Sequence, residues 1–408
     1  VISAPPRPFW RGRALALVGI VLFAFSLRSA VASLSPLIGH IQDDFSVPAA
    51  IAGLIGTVPP VCYAIFGFAT PALERRFGLE ALATAAMAVV TIGLVARSLA
   101  PDAGLLLAGT ALMFAAVGTG NILLPPLVRR YFPDRIGVLT TIFTTTMTVA
   151  TLLPPLVAVP VADAADWRLS LGMWAVFAVV ATVPWIGMTL RRRSAERADP
   201  TEVLPGVFRR MWRLPLAWAI TIGFAVSSTI AYTSFAWLPS ILVDISGVTP
   251  AQAGVLLSLF AGMGVPASIA VPLLVTRRGA TRILFGVAAA TGLSGIAGFL
   301  LAPAAAPWLW TALLGLAPLL FPMMLVLVGL RSRTHEGAVA LSGFVQSVGY
   351  GIAAVFPLGV GLLHDATAGW TVPLLVMGGV IACSIPVGVV ASRTVTIEEE
   401  WSRRHGAW

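Results

Sequence analysis

The 408-residue chain contains no lysine, and all charged residues together make up only 11% of it. Water-soluble domains carry about 25% charged residues, so this composition excludes an ordinary solvated surface. The two cysteines, Cys62 and Cys383, both lie inside apolar runs. That usage excludes a disulfide-rich scaffold, and both read as small buried hydrophobes. No GxxxxGK[ST] sequence occurs, which excludes intrinsic ATP-driven pumping, and no HExxH or CxxC pattern supports a metal site. The expectation is a protein that is not an enzyme, with no catalytic residue, no metal and no cofactor.

What is present is hydrophobic: 58% of the residues, gathered in long runs without the alternation of barrel strands. Crossing a hydrocarbon core of ~30 Å takes roughly 20 apolar residues in a helix. Runs bounded by charge clusters and Pro/Gly turns predict twelve transmembrane helices near 13–41, 49–72, 79–99, 103–129, 137–160, 169–190, 213–243, 250–275, 282–302, 307–330, 338–363 and 371–392. An N-terminal stretch with Arg11 and Arg13, an apolar run and Ala30-Val31-Ala32 has the outline of a signal peptide. It reads instead as a retained first helix, because Arg28 interrupts the cleavage region and the second half of the chain duplicates this segment.

The duplication has an offset near 202: Arg75/Arg76 match Arg277/Arg278, Pro48 matches Pro250, Pro155 matches Pro357 and Asp163 matches Asp365. The expected organisation is a six-helix bundle over 1–190, a cytoplasmic linker over 191–212, a second six-helix bundle over 213–392 and a cytoplasmic tail over 393–408. Two parallel-related six-helix halves with a site between them near the midplane are the plan of major facilitator transporters. If the N-terminus is cytoplasmic, every arginine except Arg28, Arg97 and Arg168 falls in a cytoplasmic segment. The positive-inside pattern therefore accounts for the basic excess, and nucleic acid is not an expected partner.

Arg28 is the most informative residue. A charge this deep in the first expected helix costs roughly 2.5–3.5 kcal/mol on insertion scales and normally faces a cavity or a partner. All 17 acidic residues read as loop or helix-end residues, so no carboxylate accompanies it. An unpaired guanidinium suits an anion, or a strong acceptor such as a nitro or carboxylate group; the structural alternative is that it bonds helix carbonyls. Other polar groups at membrane depth are Asn121, Ser227, Ser228, Thr229, Tyr232, Gln346 and Tyr350. They orient a substrate or bond between helices. Thr140 to Thr151 cover too much of the fifth helix to be one site and read as bonding their own backbone. Arg97 reads as snorkelling at a helix end, His40 and His364 as helix-end residues, and Trp and Tyr mostly as an interfacial belt.

Four stretches, SLRSAVASLSPLIGHIQDDFSV (26–47), GNILLPPLVRRYFPDRIG (120–137), SFAWLPSILVDISGVTPAQAGVLLSLF (234–260) and GFVQSVGYGIAAVFPLGVGLLHDATAGW (343–370), resemble the cyanate and 2-nitroimidazole transporter family of the major facilitator superfamily. The resemblance implies a bacterial inner-membrane secondary transporter, multi-pass with both termini cytoplasmic, for small anions or polar nitrogen-containing compounds. It also implies that Arg28, Asn121, Gln346 and Tyr350 occupy polar motif positions. The superfamily's loop motif between helices two and three is degenerate as LERRFG (73–78), with Arg75 and Arg76 as its candidate gating residues. Threonines replace the glycine-rich antiporter motif in the fifth helix.

The leading expectation is alternating-access transport of a small organic or inorganic anion, or a polar nitrogen-containing compound, bound by Arg28, Asn121, Tyr232, Gln346 and Tyr350. The alternative is efflux of a neutral or nitroaromatic compound; a non-transporting membrane sensor is a third reading. The expected partners are a small-molecule substrate, the lipid bilayer and a coupling proton or counter-anion, with the protein acting as a monomer.

Overall fold

A computed structural model describes residues 13–29, 31, 33–132, 135–191, 205–278, 280–406 and 408. The first half contains α1 (Ala14–Ser29), α2 (Ala49–Phe77), α3 (Leu79–Ser98), α4 (Ala103–Tyr131) and α5 (Ile136–Ala164). Its last helix, α6, runs as Trp167–Gly172 and Trp174–Arg191. In the second half are α7 (Pro215–Ser246), α8 (Pro250–Gly262 and Gly264–Arg278), α9 (Thr281–Leu301) and α10 (Pro307–Leu316, then Leu320–Leu330). It closes with α11 (His335–Ala353 and Val355–Thr367) and α12 (Thr371–Ala382 and Ser384–Ala391). Among the described residues eleven segments are long and apolar enough to cross a membrane, and the 16-residue α1 is a shorter apolar twelfth. The architecture is an all-α membrane fold of twelve helices in two six-helix pseudo-repeats.

Inside lipid every backbone polar group has to be satisfied within its own segment, which is why helices account for nearly all the described chain. Where they break, a cause is legible. The first expected helix, 13–41, is not continuous: α1 spans Ala14–Ser29, Val31, Ser33 and Leu34 are not helical, and the next helical pieces among the described residues are the 3-10 turn Ser35–Leu37 and the short helix Ile38–Asp44. Pro36 supplies no N–H to a continuing α-helix and disfavours the α-helical conformation at Ser35. Arg28 consequently sits in the last turn of α1 rather than in the middle of a long helix, and irregular backbone of this kind is tolerated at membrane depth where it lines a cavity.

Helix starts at the loops follow ordinary capping chemistry. Asp102 accepts from Leu105 N at 2.8 Å, and Thr249 with Gln252 forms a capping box. In the fifth helix Thr146, Thr148 and Thr151 donate to the carbonyls one turn back, as their spacing predicts. Cys62 is buried, but Cys383 is exposed. The apolar run around Cys383 is the outward face of α12, where lipid rather than protein core supplies the apolar surroundings.

We call the end of the bundle where α1 and α7 begin the termini face, and its opposite the far face. At the far face the halves are in close contact. Ser258 of α8 donates to the Leu152 carbonyl of α5 at 2.9 Å, and Leu358 N donates to Thr57 Oγ1 across α11 and α2 at 3.2 Å. Glycine permits the approach: a Cβ at Gly254 would lie 2.5 Å from the Pro155 carbonyl oxygen, and one at Gly56 would lie 2.6 Å from the Ala236 Cβ. The expected linker falls in part outside the described residues, over 192–204; its last part forms a short helix, Pro205–Met211, whose Phe208 meets Phe68 of α2 edge-on at 5.8 Å.

Candidate substrate site

The last turn of α1 aims Arg28 at the interior, where helices of both halves converge on it. Tyr63 comes from α2, Tyr232 from α7 and Tyr350 from α11; all three surround the guanidinium electrostatically, and Tyr232 lies within polar reach of it. The three rings form a triangle with centroid separations of 6.0 Å (Tyr63–Tyr232), 5.4 Å (Tyr63–Tyr350) and 6.1 Å (Tyr232–Tyr350). Phe114 backs Tyr63 at 6.3 Å and Phe224 backs Tyr350 at 4.9 Å, edge-on in both cases. Such T-shaped packing holds each ring, and thus each hydroxyl, in one orientation.

The tyrosines are buried, whereas Arg28 retains accessible surface. Among the described residues no carboxylate forms an ion pair with Arg28. Asn121 of α4 approaches Tyr63, but the hydrogen bond does not close: Tyr63 Oη and Asn121 Oδ1 are both buried without a partner. An orphaned polar atom of this kind costs about 1–3 kcal/mol, which a ligand able to bond it recovers. The arrangement offers a charged fork, three hydroxyls and an amide around apolar ring faces. Chemically it fits a small, flat molecule with a negative or strongly accepting group.

Of the residues expected in the site, Arg28, Tyr232 and Tyr350 come together and Asn121 stands beside them. Gln346 lies one turn before Tyr350 on α11, and its Nε2 donates to Ser342 Oγ at 2.9 Å. Ser227 bonds the Pro318 carbonyl at 3.0 Å and joins α7 to α10. The side chain of Arg75 lies outside the described residues, and Arg76 is exposed on α2, with its guanidinium over Phe77 at 5.3 Å.

Tyr63 is the residue that sequence reading missed. Only four tyrosines occur in the chain; Tyr232 and Tyr350 were expected at this depth, and Tyr63 joins them in the ring instead of standing in an interfacial belt. The available signal was their position inside apolar runs, far from any arginine cluster. Arg97 is a second correction. It does not snorkel: it is 1% exposed, donates to Ser33 Oγ at 2.9 Å and lines a small cavity of ≈ 40 Å³ between Tyr232 and the far face. Its guanidinium reaches inward to Ser33, which lies between α1 and the 3-10 turn.

Polar clasps at the two faces lie away from the ring. At the far face Asp44 accepts from the Trp167 indole at 2.9 Å and from Arg168 at 2.5 Å, and His40 meets Asp163 at 2.7 Å. The Trp167 bond, then Arg168, hold the Asp44 carboxyl below its ordinary value. The second half repeats the tryptophan clasp, with Trp370 donating to Asp244 at 2.8 Å. At the termini face Glu80, 1% exposed, accepts from Tyr131 at 2.6 Å and pairs with Arg130 at 3.0 Å.

The sequence profile of the Major Facilitator Superfamily matches residues 17–354. The chain is 33% identical to the 2-nitroimidazole transporter of Escherichia coli (strain K12), over 90% of this chain and 92% of that protein. It is 24% identical to the cyanate transport protein CynX of the same organism, over 87% of this chain and 91% of that one. The crystal structure of the nucleoside transporter NupG superposes with a TM-score of 0.73 at 10% identity, over 92% of this chain and 98% of that one, a likeness of fold alone. Twelve apolar helices in two halves, a polar site where the halves meet and a profile match across most of the length agree, and the chain is a transporter of the major facilitator superfamily.

Proposed function

We propose that this transporter moves a small anion, or a flat nitrogen-containing compound with a strong acceptor group, by alternating access, holding it at Arg28 inside the ring of Tyr63, Tyr232 and Tyr350. The observation that carries the reading is a half-buried arginine at membrane depth whose described surroundings are hydroxyls, not carboxylates. Binding an anion there replaces lost hydration with charge-assisted hydrogen bonds, which are about twice as strong as neutral ones. The relatives named for 2-nitroimidazole and cyanate transport support this substrate class, since each name denotes a small acceptor-rich molecule. The aromatic walls, Phe114 and Phe224 among them, favour a planar ring over a linear anion and keep export of a nitroaromatic compound as the second reading. Both readings place the arginine-rich termini face in the cytoplasm of a bacterium, by the positive-inside pattern.

With no carboxylate ion-paired to Arg28 among the described residues, exchange against a counter-anion is favoured over a carboxylate proton relay. The test is ligand-induced thermal stabilisation of the purified protein with cyanate, small carboxylates and nitroimidazoles, on wild type and Arg28→Gln side by side. Stabilisation by one class, lost in the variant, supports the reading. Equal stabilisation of both proteins refutes it. Counterflow in proteoliposomes at matched and unmatched pH then separates anion exchange from proton coupling.

A further inference from the structure

The last described helix, α13 (Ile397–His405), folds back against the termini face of the second half. Its first turn is anchored there: Ile397 N donates to the Arg331 carbonyl at 2.9 Å, and Glu398 accepts from Arg333 N and Thr334 N at 2.9 and 3.0 Å. Glu400 receives Leu216 N, in the first turn of α7, at 3.0 Å. Between α13, the start of α7 and the end of α12 this docking leaves a cavity of ≈ 180 Å³, unrelated to the Arg28 ring. Arg393, Arg403 and Arg404 line it against a single carboxylate, Glu400.

Glu400 is already engaged by the α7 terminus and, at 3.7 Å, by Arg404. Arg393 forms no ion pair among the described residues, and Arg403 acts on Glu399 only at longer range. The cavity therefore presents two exposed guanidiniums, of Arg393 and Arg403, with no carboxylate at ion-pair distance among the described residues, while Glu400 already meets the α7 N-terminus. At ≈ 180 Å³ it has room for about six waters at their liquid volume, enough for a phosphate group.

Its position selects the source of that phosphate. The spans Pro215–Ser246 and Thr371–Ala391 begin and end at the cavity, so it lies where hydrocarbon gives way to headgroups. At the same face Trp212, 50% exposed, packs edge-on against Trp218 near the start of α7, as aromatic residues do at that depth. Directly below, Ile385 and Val389, one turn apart on α12, are 52% and 49% exposed and offer an apolar track for an acyl chain. We infer that this cavity binds the headgroup of an anionic phospholipid, which thereby holds α13 to the ends of α7 and α12.

The test uses the full chain, delipidated in a neutral detergent and given phosphatidylglycerol, phosphatidylcholine or inorganic phosphate, with melting temperature and retained lipid by native mass spectrometry as readouts. Phosphatidylglycerol, and not phosphatidylcholine, is expected to raise the melting temperature and stay bound. The Arg393→Gln/Arg403→Gln double variant is expected to weaken retention at least about tenfold. Arg393→Lys/Arg403→Lys, which keeps the charge, retains most of the shift, and Arg282→Gln, an exposed cation at the start of α9, leaves it unchanged. An undiminished shift in the Gln double variant overturns the inference, as does equal loss in Arg282→Gln. A shift reproduced in full by inorganic phosphate overturns it in favour of a free-anion site.

Discussion

Glu80 and Arg28 are both charges held inside the protein, and they differ in their company. Glu80 is completed by Arg130 and Tyr131 at one face of the first half. Arg28 stands where the two halves meet, among hydroxyls and an amide that leave hydrogen-bonding capacity unused. A buried charge with its counter-charge is a structural brace. The same kind of charge without one is a site in waiting, because a ligand recovers desolvation energy that the fold has already spent.

The contrast can be broken most forcefully at Glu80. Glu80→Ala removes the acceptor of the Tyr131 hydroxyl and the counter-charge of Arg130, which is itself exposed and can be resolvated, so the expected cost is about 1.5–3 kcal/mol. It would appear as a large fall in melting temperature in detergent with no specific change in ligand preference. Arg28→Gln is expected to do the reverse: melting temperature unchanged or raised, and ligand-induced stabilisation reduced at least tenfold, about 1.5–3 kcal/mol for a hydrogen bond to a charge. If both variants simply unfold, the distinction between brace and site fails.

Tyr63→Phe sharpens the same point. Its Oη has no partner, so removing it is expected to leave stability unchanged or raise it slightly while weakening ligand affinity several-fold, about 0.5–1.5 kcal/mol. A destabilised but normally binding Tyr63→Phe would make this hydroxyl structural. At the far face, Gly254→Ala puts a methyl carbon 2.5 Å from the Pro155 carbonyl oxygen. It is expected to force α5 and α8 apart, raising cysteine-reagent access to engineered positions at the far end while lowering transport; unchanged access would mean that the contact yields cheaply.

The smallest effect concerns Asp44. Its folded-state pKa lies below the ordinary aspartate value, first through the Trp167 bond and then through Arg168. The clasp therefore contributes stability above the unfolded-state pKa, and that contribution disappears as pH falls through the folded-state value. The melting temperature of Trp167→Phe is expected to converge on that of wild type as pH is lowered through the acidic range. A constant gap would assign the tryptophan's contribution to packing alone.

Much of the site was legible in the residues. Arg28 stood out because a cation in an apolar run is expensive, and Tyr232 and Tyr350 because they were polar at that depth. Tyr63 escaped because a tyrosine in a membrane helix reads equally well as an interfacial anchor, and only its approach to two other tyrosines across α7 and α11 separates the two. Gln346 shares the depth and helix of Tyr350, and Ser342, one turn away, accepts from its amide. Arg97 reads as a surface residue because its helix ends nearby, whereas in the structure its guanidinium turns inward to Ser33, beyond the break after α1. That break depends on how the neighbouring helices pack as well as on Pro36.

Composition and hydropathy alone were enough to establish a membrane-spanning chain, its approximate helices and the imbalance between one central arginine and acidic residues confined to helix ends and loops. These properties follow from each segment's own exchange between water and lipid, which depends on local sequence. Tertiary structure alone decided which polar side chains meet, which charge is compensated, and that α13 closes a basic cavity beside α7 and α12. Such pairings join residues far apart in sequence, and in lipid their energies come from contacts between helices rather than from any one helix.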